Sequence, residues 1–180
     1  MALRKELVYT TEDIYNLPEG ERAELIDGQI YYMAPPTFKH QTLVVELSTT
    51  INHYIKSKKG SCKVVPAPFA VFLNKDNKTY VEPDISVICD KSKITEQGCV
   101  GAPDWIIEIV SPSSIQMDYH TKLFKYRNTG VREYWIVDPM KNRIIVYNFE
   151  SKETLEYTFN DTVKVGIYED FYINLAEILD

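Results

Sequence analysis

Glu108 is the residue whose chemistry most needs an explanation. It stands in Trp105-Ile-Ile-Glu-Ile-Val110, an almost unbroken apolar run bounded by Pro103 and by Ser111-Pro112. Such a run reads as a strand covered on both faces. An ionised carboxylate is almost never fully buried unless it is paired or holds a metal, because an isolated buried charge neutralises instead. Two cations suit it: a metal shared with Asp84 of Val81-Glu-Pro-Asp-Ile85, or the ammonium of Lys122 on the helix expected to follow. Two hard oxygen ligands on adjacent strands suit Mg2+ (or Mn2+), which takes one or two carboxylates and keeps its waters for substrate phosphates. An ion held there stabilises the charge developing on a phosphodiester and acidifies a bound water, while a nearby ammonium positions or deprotonates that water. Phosphodiester hydrolysis fits these parts.

Each of these residues also has a plainer reading. Asp84 follows Pro83, whose missing N–H interrupts a ladder and frees the backbone for site geometry, but taken alone it is equally a surface-strand Asp. Lys122 follows Asp118 by four, the favourable order for a surface helical pair worth a few tenths of a kcal/mol. At about 100° per residue it falls at the edge of the Tyr119, Leu123 and Tyr126 stripe. His40 falls at the centre of an apolar helical stripe, where it either lines a site or is a hydrogen-bonded core histidine. Glu46 falls opposite that stripe, which makes it a poor catalytic candidate. Glu24, in Glu24-Leu-Ile-Asp-Gly28, faces a site or solvent, and hairpin statistics favour solvent.

The elements that must position these groups are legible in order. Thr10 or Thr11 caps a short helix through Asn16, and Asp27-Gly28 turns a hairpin. Thr37 caps a helix whose apolar positions Leu43, Val44, Leu47, Ile51, Tyr54 and Ile55 recur until Gly60. Lys63 to Leu73 is strand-like, and Pro66 and Pro68 place it at a sheet edge. The polar turn Asn74 to Lys78 leads to a strand from Tyr80 to Ile88, pairing the two as a hairpin. Its alternation puts Glu82, Asp84 and Ser86 on one face. On the Glu108 strand, Ile106, Glu108 and Val110 share a face opposite Trp105, Ile107 and Ile109. A helix from Met117 to Asn128 ends at Gly130. Glu133 to Val137 and Arg143 to Phe149 form the next hairpin, followed by strands at Thr154–Phe159 and Thr162–Ile167 and a short helix at Leu175–Leu179. The expected fold class is therefore α/β: a mixed central sheet flanked by helices, with extra hairpin strands.

With 180 residues, 44% of them hydrophobic, the chain is expected to form a single domain over 1–180, burying roughly 70% of the surface its unfolded form exposes. Neither Met1–Leu7 nor any later run has the length of a signal-peptide core or a membrane span, so the expected location is the cytoplasm, with no membrane partner. Cys62, Cys89 and Cys99 are odd in number and without C-x-x-C pairs, which suggests free thiols and neither a disulfide frame nor a zinc site. The net charge of −6 comes from residues 150–180, where eight acids face Lys152 and Lys164. An acidic chain is not drawn to nucleic acid by its overall field, so DNA binding requires a local basic surface. Lys56, Lys58, Lys59 and Lys63 are the densest cluster; they also suit the negative end of a helix dipole.

Taken together, Pro83-Asp84, Glu108-Ile-Val-Ser-Pro-Ser-Ser114, Asp118, Lys122, Tyr126 and Gly130-Val-Arg-Glu-Tyr-Trp-Ile-Val-Asp-Pro139 closely resemble the Uma family of restriction endonucleases in the PD-(D/E)xK nuclease superfamily. Glu24-Leu-Ile-Asp-Gly28 and His40 resemble its upstream signature, so the resemblance spans nearly the whole chain. It implies a restriction-endonuclease-like fold, Asp84 and Glu108 as metal ligands, and divalent-metal cleavage of DNA. It also makes Glu24 and His40 candidate site residues. One departure stands out: two residues after Glu108, where the superfamily usually has its lysine, this chain has Val110, and Lys122 would be a migrated replacement. Duplex cleavage needs two strands addressed, which implies a homodimer or higher homo-oligomer. The competing reading is a non-catalytic binding or assembly module on a nuclease scaffold, which the acidic charge and Val110 favour.

Overall fold

The computed structural model describes residues 7–179; the opening stretch Met1–Glu6, read above as lacking a leader, lies outside the described residues. Among the described residues no helix is long and apolar enough to cross a membrane.

The lead-in helix α1 (Thr11–Tyr15) is closed by a reciprocal box in which Asp13 accepts from the Thr10 amide at 2.7 Å. Strands β1 (Ala23–Ile26) and β2 (Gln29–Tyr32) form the expected hairpin, with Asp27 and Gly28 both at positive φ, the conformation an Asp-Gly turn favours. Helix α2 (Phe38–Ser57) starts where Thr37 accepts the His40 amide and buries Leu43, Val44, Leu47, Ile51 and Ile55.

The expected strand Lys63–Leu73 is broken into β3 (Lys63–Pro66) and β4 (Val71–Phe72), with Pro68 between them. The strand expected at Tyr80–Ile88 is also shorter, β5 (Ile85–Ile88), because Tyr80 and Val81 leave the main sheet to bridge Leu25 and Val71. Next come β6 (Cys99–Val100), β7 (Trp105–Ile109), wide π-helical turns over Met117–Lys122, and α3 (Leu123–Thr129), which Gly130 ends at φ 100°. Strands β8 (Glu133–Asp138), β9 (Arg143–Asn148) and β10 (Glu153–Tyr157) follow. The chain closes with β11 (Thr162–Lys164), β12 (Tyr172–Asn174) and α4 (Leu175–Leu179). The pairing of β11 with β12 was not expected.

The main sheet has six strands in the order β10-β9-β8-β7-β5-β3, so the proline-bearing β3 is at an edge, as expected. Only β7 and β8 run parallel, and that pair needs a crossover, which the Met117–Thr129 helix supplies. Trp105, Ile107 and Ile109 pack toward α2, whereas Ile106 and Val110 pack with Tyr126 of α3 on the other face. Coverage on both faces explains why β5, β7 and β8 are buried along their whole length.

The cysteine expectation is corrected. Lys63 pairs with Ile88, so Cys62 and Cys89 are the next opposed pair, and they form a disulfide across β3 and β5. Strand register, invisible in a separation of 27 residues, brings them together. Cys99 is free and buried. Thiol titration in denaturant should therefore count one thiol before reduction, Cys99, and all three cysteines after it. Three without reductant would contradict the bond.

Candidate active site

Asp84 and Glu108 occupy matched places. The β5–β7 ladder pairs Ile85 with Ile107, so Asp84 and Glu108 are the opposed residues just beyond its last rung. There the carboxylates replace the ladder. Ile109 N donates to Asp84 Oδ2 at 2.7 Å, and Asp84 N reaches Glu108 Oε2 at 3.3 Å. His40, projecting from the first turn of α2, holds the same Asp84 Oδ2 through Nε2 at 3.2 Å. Asp84 Oδ1 accepts no hydrogen bond among the described residues.

Glu108 is 2% exposed, and its other oxygen, Oε1, accepts from Lys122 Nζ at 2.9 Å and from Tyr126 OH at 2.7 Å. Lys122 Nζ lies equally 2.9 Å from Glu24 Oε1, and 3.8 Å from Asp118 Oδ1. Glu24 is thus buried, contrary to the solvent position that hairpin statistics favour. The reason is that β1 is not a free hairpin: Leu25 and Tyr80 exchange both backbone hydrogen bonds at 2.7 Å. This turns Glu24 inward, where it also accepts the Glu82 amide at 2.8 Å.

The structure also revises the helix. The stripe expected from a uniform 100° step was Tyr119, Leu123 and Tyr126, with Lys122 at its edge; the fully inward line is Asp118, Lys122 and Tyr126. Wide π turns leave the residue four on short of a full turn, whereas in an α-helix it overshoots by about 40°. Passing from one pitch to the other at Leu123 cancels the two drifts. Asp118 and Lys122 are therefore not the surface pair their spacing suggests. Asp118 is 2% exposed and accepts from Ser114 Oγ at 2.5 Å. Its burial was missed because a helical Asp-x-x-x-Lys is usually solvated; the available signal was its adjacency to an apolar strand's crossover.

All five residues singled out from the sequence, Glu24, His40, Asp84, Glu108 and Lys122, line one cleft of about 440 Å³, joined by Asp118. The cleft holds more carboxylates than cations, and the titration shifts follow from that. Burial raises the Glu108 carboxyl well above its ordinary range; Lys122 opposes the shift, but Asp118, Asp84 and Glu24 add to it. Burial likewise raises Asp118 to about 6. Burial pulls Lys122 down, yet Glu108, Glu24 and Asp118 outweigh it, and the amine is held well above its usual value as an ammonium. His40 is also raised: burial lowers it, and the Asp84 hydrogen bond and charge prevail. Among the described residues no group of three or more His, Cys, Asp or Glu is arranged to hold a metal ion. Mg2+, however, needs only one or two carboxylates with water completing its shell. Asp84 and Glu108 each keep an oxygen without a side-chain partner, so the donor set fits.

The family model described as "Putative restriction endonuclease", Uma2, matches residues 11–176. The chain belongs to the Uma2 family. An uncharacterized protein of Synechocystis is 28% identical over 132 residues, covering 72% of this chain and 67% of that relative. A crystal structure from Anabaena variabilis, described as "a putative nuclease belonging to DUF820", superposes with a TM-score of 0.76 at 24% identity, covering 94% of this chain and 97% of that one. This Uma2 chain therefore has the mixed sheet flanked by helices expected from its residues and the restriction-endonuclease-like fold that the family resemblance implies.

The Asp118 shift makes a pH prediction. A carboxyl raised in the folded state contributes stability that is full below its unfolded value of 3.8 and is lost as pH rises through about 6. Asp118→Asn removes that loss. Its melting temperature relative to the parent should rise between about pH 4 and pH 7, whereas a constant difference would show that Asp118 does not titrate in this window.

Proposed function

We propose that this chain, acting as one restriction-endonuclease-like domain, hydrolyses phosphodiester bonds in DNA, with Asp84 and Glu108 as the ligands of a Mg2+ or Mn2+ ion and Lys122 as its catalytic lysine. The observation that carries this reading is the meeting of two opposed strand-end carboxylates with a buried ammonium from the crossover helix. A divalent ion bound there would supply Lewis-acid stabilisation of the scissile phosphate and a more acidic water. The chain's own groups divide the remaining work. His40 and the Ile109 amide hold one oxygen of Asp84, leaving Oδ1 toward the cleft. Tyr126 and Lys122 fix Glu108. Because its surroundings keep Lys122 protonated, its role is to orient water or phosphate oxygen by donating hydrogen bonds, not to abstract a proton. Glu24 steadies that ammonium.

A second reading, a non-catalytic module on the same scaffold, is favoured by one observation: Glu24 and Glu108 already neutralise Lys122, so the lysine is also explained as a structural ion pair. Cleavage of a mixed DNA panel separates the two. Hydrolysis should require Mg2+ or Mn2+, cease on chelation, and fall by roughly 10²-fold or more in Asp84→Asn and in Lys122→Met. Lys125→Met removes only a pair with the exposed Asp27 and should cleave like the parent. Because Lys122→Met strands buried carboxylates, Lys122→Met with Glu24→Gln serves where the single variant melts. Absence of hydrolysis across the panel with either ion present would favour the non-catalytic module, and cleavage that survives chelation would sink the metal assignment.

The described chain offers this one carboxylate cleft, and duplex cleavage addresses two strands, so the proposed working form is a homodimer or higher oligomer. Sedimentation should show it on DNA; a monomer both on and off DNA would count against it.

A further inference from the structure

The cleft is rich in carboxylates, so whatever holds a polyanion must lie on its rim. The cluster prominent in the sequence is misplaced for that task. Helix α2 has 20 residues, and its rise puts Lys56 about 25 Å from its N-terminal turn, where His40 meets the site. Lys58 is moreover paired with Asp170. Arg22, which lines the cleft, is engaged by Glu82, and Lys125 of α3 by Asp27.

A different set lies beside the cleft. Thr37 and His40 line it, and Lys39 between them is exposed and reaches the carbonyl of Pro139 at 3.3 Å. This joins the start of α2 to the β8–β9 turn. On that turn Lys141 is exposed, with its ammonium 5.2 Å from the centre of the Tyr119 ring, and the Arg143 guanidinium lies 5.3 Å from the same ring. Arg143 also donates to Tyr119 OH at 2.8 Å, so the ring presets both cations. Asp138, whose side chain is fully buried, lies 3.7 Å from the Lys141 ammonium and offsets part of this charge, while it also accepts from Tyr119 OH and from the Met140 and Lys141 amides. Glu156, 3.6 Å from Arg143, is the opposing exposed acid. Tyr119 follows Asp118 in sequence and Lys39 stands between Thr37 and His40, all three flanking residues lining the cleft, which places the cations beside the site.

We propose that Lys39, Lys141 and Arg143 form a track that grips the phosphate backbone of a nucleic-acid strand as it leaves the cleft. Charge complementarity carries the assignment: Lys39 against Pro139, and Lys141 and Arg143 over the Tyr119 ring, set cations beside a cleft whose carboxylates outnumber its cations. The choice of ligand class rests on the nuclease reading, and binding, unlike cleavage, tests the track on its own.

The experiment is fluorescence anisotropy with a labelled duplex oligonucleotide, and with its single strand, in Ca2+ buffer over roughly 50–200 mM salt. Each phosphate contact contributes about 0.9 to the salt slope on duplex DNA and about 0.7 on a single strand. Lys39→Ala with Lys141→Ala should weaken binding about ten-fold or more at low salt and reduce the slope by nearly two on duplex, whatever the base sequence. Both side chains are exposed, so the fold should melt as the parent does. Lys56→Ala with Lys59→Ala should leave affinity and slope unchanged. An unaltered slope in the rim variant, an equal loss in the far-end variant, or no salt-dependent binding by the parent would each overturn the track. A chain that binds through the track yet never cleaves would overturn the endonuclease reading alone, and one that cleaves with an indifferent slope would overturn the track alone.

Discussion

The ammonium of Lys122 is the interaction on which the rest of this molecule turns. Lys122 belongs to the crossover, Glu108 to the central strand and Glu24 to the first hairpin, so a single buried charge joins three separate pieces of chain. Removing one partner of such a buried pair is far costlier than losing a surface ion pair, because the remaining charge has no water to turn to. The charge acts together with the hairpin's buried apolar residues Ala23, Leu25 and Ile26 in fixing its approach to the main sheet. Its backbone exchange with Tyr80 adds two hydrogen bonds to the same junction.

The same arrangement explains why β5 stops where it does. Continuing the ladder to Asp84 and Glu108 would occupy backbone groups that are instead served by side chains from across the gap. Pro83 cannot donate, so the chain loses little by leaving the sheet there. An interruption in regular hydrogen bonding thus creates the floor of the cleft, and Tyr80 and Val81 are released to knit the hairpin and β4 into its wall.

Much of this was readable from residue types because a single carboxylate in an apolar strand has few physical excuses. Glu108, Asp84 and Lys122 were linked by that requirement, and His40 by its place on an apolar stripe. Glu24 was not recoverable from local pattern, since a four-residue hairpin strand says nothing about what will cover it; only the resemblance of its motif singled it out. Asp118 was hidden by an assumption of uniform helical pitch. The disulfide and β12 depend on register and on contacts between segments distant in the sequence, and neither leaves a periodic trace.

The location of the lysine has a consequence for what changes this chain can absorb. A lysine two residues beyond Glu108 would share its face whatever the nearby loops did, because strand pleating repeats every two residues. Lys122 shares that face only while Met117–Lys122 keep their wide turns. Gaining or losing one residue there would swing the ammonium by roughly a quarter of a turn around the helix axis. Elsewhere on the molecule such a length change would be absorbed by a loop. Here a change of length within the wide turns would move the ammonium off Glu108.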